Sequence, residues 1–141
     1  MRRFAPLVLS TSLVLAAGGC TKSIPKLLEQ SQDRADESVD IVCEACPELF
    51  GSEEQCRELI GSPLFPDGEC TAEALDEDAD ASRETLSCVL DIQDEYNACL
   101  EDKLECGDPD SYLSCQDIIE NPLTGCPELP ISVLTALQGC G

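Results

Sequence analysis

Cysteine is the residue with the most chemistry to offer in this chain. Eleven occur in 141 residues, and Cys43 and Cys46 form a Cys-x2-Cys pair, Cys43-Glu-Ala-Cys46. That spacing suits a dithiol redox pair or one half of a zinc site. A redox pair of this kind opens a helix beside a strand pattern, whereas this one closes a helical pattern. A zinc site needs a second knuckle or histidines, and the chain has neither. Structural disulfides are the better use of so many cysteines. In an oxidising compartment bridges replace the hydrophobic burial that a short chain cannot supply.

The acids are the second candidate. Asp76, Asp78 and Asp80 alternate as the first ligands of a calcium loop do, but Ala81 and Ser87 stand where an EF-hand loop needs Gly and a bidentate Glu. An acidic helix start is the simpler reading, because carboxylates favour the first helical turn. A calcium-binding module is kept as the alternative. Paired carboxylates could hydrolyse glycosides, but with no Trp, two Tyr and three Phe the chain has no aromatic platform for a sugar. Without histidine the commonest general base is missing, and no nucleophile elbow, phosphate loop or dinucleotide fingerprint is present. The expectation is a protein that is not an enzyme. A formal charge of -21, from 29 acids against 8 bases, excludes nucleic acid as a partner and favours cationic or calcium-bridged ones.

The N-terminus reads as an export signal: Arg2 and Arg3, an apolar run from Phe4 to Ala17, then Gly18 and Gly19 before Cys20. The run is too short to span a membrane, which takes about 20 apolar residues. The segment resembles a bacterial lipoprotein signal peptide, with Ala17, Gly18, Gly19 and Cys20 filling the lipobox. The resemblance implies cleavage before Cys20, a diacylglycerol thioether on its sulfur and an acyl chain such as palmitate on its amine. Thr21 after the cysteine, rather than Asp, implies delivery to an outer membrane. Several chains make the anchor firm, at about 0.8 kcal/mol per buried methylene. Losing residues 1–19 removes two arginines and no acid, leaving six bases against 29 acids and a mature charge of -23.

Setting Cys20 aside leaves an even ten: Cys43, Cys46, Cys56, Cys70, Cys88, Cys99, Cys106, Cys115, Cys126 and Cys140. Ten cysteines close as five bridges, whose connectivity the sequence leaves open.

The elements that must position them are helices, and the expected fold is all-α: a small disulfide-stapled helical domain of about five helices over 39–141, with 20–38 a tether or the start of the first helix. Leu28, Ala35, Val39, Val42 and Cys46 recur at helical spacings. A second helix is expected over Ser52–Ile60, a turn at Pro66-Asp67-Gly68, a long helix over Ser82–Cys106, a fourth near Ser111–Glu120 and a fifth near Pro130–Gln138. On the long helix Cys88, Cys99 and Cys106 would lie within about 20° of one another, beside Leu86, Val89, Ile92, Tyr96, Leu100 and Leu104.

Cys56-Arg-Glu-Leu-Ile-Gly-Ser-Pro-Leu also matches Cys115-Gln-Asp-Ile-Ile-Glu-Asn-Pro-Leu. The chain can thus be divided into two five-cysteine units, 43–88 and 99–140, in which case at least one bridge joins them. The Cys88–Cys99 interval is similar to the central hairpin of saposin-like lipid-binding proteins, although the other spacings differ. Lipid binding is the second alternative to a lipid-anchored envelope protein with a binding, adhesion or structural role.

Overall fold

The computed structural model describes residues 22–120 and 125–140. Cys20 and the lipobox, and the Pro122-Leu123 pair of the second repeated motif, lie outside the described residues. Six α-helices occur among the described residues: α1 Ile24–Ala45, α2 Glu53–Ile60, α3 Gly68–Asp76, α4 Ala79–Lys103, α5 Pro109–Glu120 and α6 Ile131–Leu137. Short 3-10 turns follow α1, at Pro47–Leu49, and α6, at Gln138–Cys140. The all-α expectation holds, and the first, second, fourth and fifth expected helices correspond to α1, α2, α5 and α6.

Local signals account for most helix ends. Pro25 begins α1, where a missing N–H costs nothing. The Ser52 hydroxyl accepts a bond from the Gln55 amide at 3.2 Å, and Gly51 enters α2 at a φ of 99° that favours glycine. Asp67 and Asp78 cap α3 and α4 by accepting from the amides of Cys70 and Ala81, at 3.0 and 3.2 Å.

Two expectations are corrected. The Pro66-Asp67-Gly68 turn is also a helix start: Asp67 caps α3, which buries Thr71, Ala74 and Leu75, so there are six helices rather than five. The long helix spans Ala79–Lys103, so Cys106 leaves the cysteine stripe of Cys88 and Cys99. Leu104 is extended, and the Ser111 hydroxyl accepts from the Glu105 amide at 2.9 Å while donating to the Asp108 carbonyl at 2.6 Å. These bonds replace a further helical turn and carry Cys106 back to the end of α1, where it meets Cys46.

The frame is the pair α1 and α4. Ser31 meets Gln93, Arg34 meets Asp94, Ser38 meets Asn97 and Cys46 meets Cys106, so both sequences rise together and the helices run parallel. Two apolar clusters flank this seam. At its C-terminal end Val39, Val42, Cys43, Cys56, Tyr96, Cys99, Leu100 and Cys115 pack together. At its N-terminal end Ile24, Leu27, Leu28, Leu75, Leu86, Leu90 and Val133 do so. The middle of the seam is polar: the buried Asn97 accepts from the Ser38 hydroxyl and donates to the Arg34 carbonyl and the Glu37 carboxylate, at 3.0 and 3.1 Å.

All ten cysteines from Cys43 onward are bridged: Cys43–Cys56, Cys46–Cys106, Cys70–Cys140, Cys88–Cys126 and Cys99–Cys115. The members of the Cys-x2-Cys pair thus bond to different partners rather than to each other. Cys88 and Cys99 do likewise, so the hairpin pairing suggested by the saposin comparison is absent. Three bridges cross between segments 43–88 and 99–140, where at least one was required.

Candidate functional site

The helix seam offers a concave apolar feature at its middle. A groove of about 530 Å³ opens between α1, α4, α5 and the loop joining α2 to α3. Ser31, Ala35, Ser38 and Val39 face it from α1; Val89, Ile92, Gln93 and Tyr96 from α4; Tyr112, Gln116 and Ile119 from α5; Ile60, Leu64 and Phe65 from the end of α2 and its loop. None of these fourteen residues is charged, in a chain with 37 charged side chains.

The serine and glutamine side chains of the lining are hydrogen-bonded within the protein, Ser38 to Asn97 beneath the groove. The Ser31 hydroxyl donates to Gln93 Oε1 at 2.9 Å, Gln93 Nε2 returns a bond to the Ser31 carbonyl at 3.2 Å, and Gln116 Nε2 donates to the Tyr112 hydroxyl at 2.9 Å. Among the described residues no buried side-chain polar atom lacks a partner. Burial, followed by the neighbouring Tyr112, pushes the Tyr96 phenol well above the usual tyrosine range, so it stays neutral. The groove is an apolar receptacle with no nucleophile poised at its wall.

Bridges fix the walls. Ile60 stands four residues after Cys56, which is tied to α1; Ile119 stands four after Cys115, tied to α4; Val89 adjoins Cys88, tied to Cys126. Ile60 and Ile119 are the matched isoleucines of the repeated Cys-x-x-x-Ile motif, and Val89, Ile92 and Tyr96 were already placed beside the cysteine stripe. Leu64 is the matched leucine of the same motif, whereas Phe65 and Gln116 carry no sequence signal, because a loop and a helix flank are brought there by tertiary packing.

A second concavity is shallow and acidic. Asp33, Asp36, Glu37, Asp40 and Glu44 of α1 and Glu101 of α4 surround Ile41, Leu100 and Leu104. Arg57 reaches this edge, bonding Asp40 at 2.6 Å and Glu44 at 3.4 Å, with Glu53 at 3.1 Å behind it. Its hydrogen bonds to Asp40 and Glu53 raise its pKa above the ordinary value. Arg34 also lines this face but pairs with Asp94, so the two guanidiniums leave most of the acids here without a counterion.

The calcium candidates do not converge on one point. Asp76 ends α3, Asp78 caps α4, and Asp80 pairs with Arg83 at 2.6 Å. Among the described residues no group of three or more Cys, Asp or Glu is arranged to hold a metal ion, and no helix is long and apolar enough to cross a membrane.

Compared with family models, curated proteins and solved structures, the chain matches none.

Proposed function

We propose that this is an exported, lipid-anchored protein of the bacterial cell envelope with a non-catalytic binding role. The observation that carries the reading is the cysteine account: five bridges consume every cysteine from Cys43 to Cys140, so Cys20, at the end of the lipobox-like segment, has no thiol left to pair with inside the chain. Disulfide density of this order belongs to oxidising compartments. The first helix begins at Ile24, so an anchor on Cys20 holds the folded body directly at the membrane rather than on a long tether.

The acidic face around Ile41 and Leu104 supports a cationic partner, or one bridged by calcium, and repels an anionic bilayer within a Debye length of about 8–10 Å. A non-catalytic role is supported by the absence of histidine and by a groove whose serine and glutamine side chains are already hydrogen-bonded within the protein. Intact mass spectrometry with and without reduction and alkylation tests the reading. The expected species starts at residue 20, carries acyl mass and alkylates only after reduction. An unlipidated chain with a free thiol overturns it.

A further inference from the structure

We infer that the uncharged groove between α1, α4 and α5 binds the hydrocarbon chain of a single-chain lipid whose head group is neutral or cationic. The inference specifies the ligand of the binding role proposed above but does not depend on the anchor. Three observations carry it. The volume, about 530 Å³, lies in the range of pre-formed small-molecule sites, which favour positions between helices.

The serine and glutamine side chains of the lining already spend hydrogen bonds within the protein, so a sugar or an extended peptide would find few partners for its own polar groups there, whereas a methylene chain has none to satisfy. The walls at Ile60, Ile119 and Val89 are each held by a nearby bridge, so the cavity cannot close to recover the packing it lacks, and an apolar occupant supplies it. The head group stays outside, against a protein with a mature charge of -23. That field disfavours a carboxylate and accepts a choline or a glycerol.

The test uses the full oxidised protein with Cys20→Ser, which separates groove binding from lipidation. Calorimetric titration with palmitoyl-lysophosphatidylcholine below its micelle concentration should saturate at one molecule per chain. Shortening the chain from sixteen to twelve carbons should weaken binding by about fourfold per methylene, about 250-fold in all. Palmitate at pH 8 should bind about tenfold more weakly than the lysolipid. Ala35→Phe, which places a ring in the groove, should abolish binding with an unchanged or raised melting temperature.

Unsaturable partitioning, no binding, or undiminished binding by a folded Ala35→Phe protein overturns the proposal. Palmitate binding as tightly as the lysolipid overturns its head-group assignment. Should Ala35→Phe fail to fold, Val89→Phe on the opposite wall gives the same reading. If the mass spectrum shows no acyl group while the titration saturates, the anchor fails and the groove assignment stands.

Discussion

The two ends of the α1/α4 seam solve one problem in opposite ways. At the C-terminal end half of the eight clustered residues are half-cystines, and Cys43, Cys56 and Cys115 are fully buried. There the sulfur bridges are the core. At the N-terminal end the cluster is leucine, isoleucine and valine, and of the four bridging cysteines there only Cys126 is buried, while Cys70, Cys88 and Cys140 are partly exposed. The sequence separations differ too: Cys43–Cys56 and Cys99–Cys115 span 13 and 16 residues and pin a short helix to the long one before it, whereas Cys70–Cys140 spans 70 and ties α3 to the chain end. In a chain this poor in aromatics, a disulfide acts as filler where apolar side chains run short, and as a strap where they do not.

Replacing bridges by Ser and by Ala separates those roles, and the largest effect is expected at the C-terminal end. Losing Cys43–Cys56 gives up about 3 kcal/mol of chain entropy whichever residue is used. The serine pair also buries two hydroxyls without partners, at about 1–3 kcal/mol each. Chemical denaturation should therefore show Cys43→Ser/Cys56→Ser far less stable than Cys43→Ala/Cys56→Ala. At Cys70/Cys140 the two pairs should agree to within about 0.5 kcal/mol, each about 4 kcal/mol below the wild type. Equal Ser and Ala costs at both sites would erase the distinction between filler and strap.

Next in size is truncation of the aliphatic end. Leu27 is 1% exposed among Leu75, Leu90 and Val133, and Leu27→Ala should cost about 2–5 kcal/mol. Because bridging cysteines make up half of the other cluster and none of this one, hydrogen exchange should rise first in α3 and α6 and later around Cys43 and Cys99. Uniform loss of protection would mean that the two clusters open as one unit.

The same contrast explains what the sequence made legible. The helices, their caps and the even cysteine count follow from short-range patterns, and Ser52 and the Ile60/Ile119 match were visible in them. Connectivity was not, because Cys70 meets Cys140 only through the packing of α3 on α6. Helix α3 was hidden because Pro66-Asp67-Gly68 encodes a turn and a cap with the same residues, and Cys106 left its stripe because Ser111 and the bridge to Cys46 outweighed helical continuation. The groove is a tertiary product of four segments, in which Ala35 and Val39 of the first helix's spacing, the matched Ile60, Leu64 and Ile119, and the flank of the cysteine stripe left a trace.

The pairing adds one point that no spacing contained. Matching Cys43, Cys46, Cys56, Cys70 and Cys88 in order with Cys99, Cys106, Cys115, Cys126 and Cys140 carries Cys43–Cys56 onto Cys99–Cys115, carries Cys70–Cys140 onto Cys88–Cys126, and leaves Cys46–Cys106 on itself. That self-mapping is what a duplicated five-cysteine unit would produce, with Cys46–Cys106 as the one bridge that joins equivalent positions.

Between the ends, the polar layer should yield a smaller change. Asn97→Ala removes the bonds to Ser38, Glu37 and the Arg34 carbonyl, the last of which keeps the Ser38 hydroxyl as a donor, and is expected to cost about 1–3 kcal/mol in a denaturant melt. Asp94→Asn removes only the partner of Arg34 in a solvent-exposed pair, and should cost about 0–1 kcal/mol, decreasing with added salt. If the two substitutions cost the same, the buried layer is no more selective than the surface.

An effect of about the same size as that of the surface pair concerns pH and belongs to the cysteine-filled end. Tyr96 lies in that cluster with its phenol raised by burial above the usual value near 10. A raised pKa means that the folded protein holds the proton more tightly than the unfolded chain, so the stability linked to Tyr96 is fully present below about pH 10 and declines as pH rises beyond it. The decline should reach about 1 kcal/mol at pH 11, after allowing for water that enters the open groove beside the ring. Tyr96→Phe has no proton to lose, so its stability should fall less between pH 9 and 11 than that of the wild type in short denaturant melts that keep the bridges intact. Parallel pH profiles would show that the Tyr96 hydroxyl is already hydrated in the folded state, and that the cysteine-filled end is wetter than its burial implies.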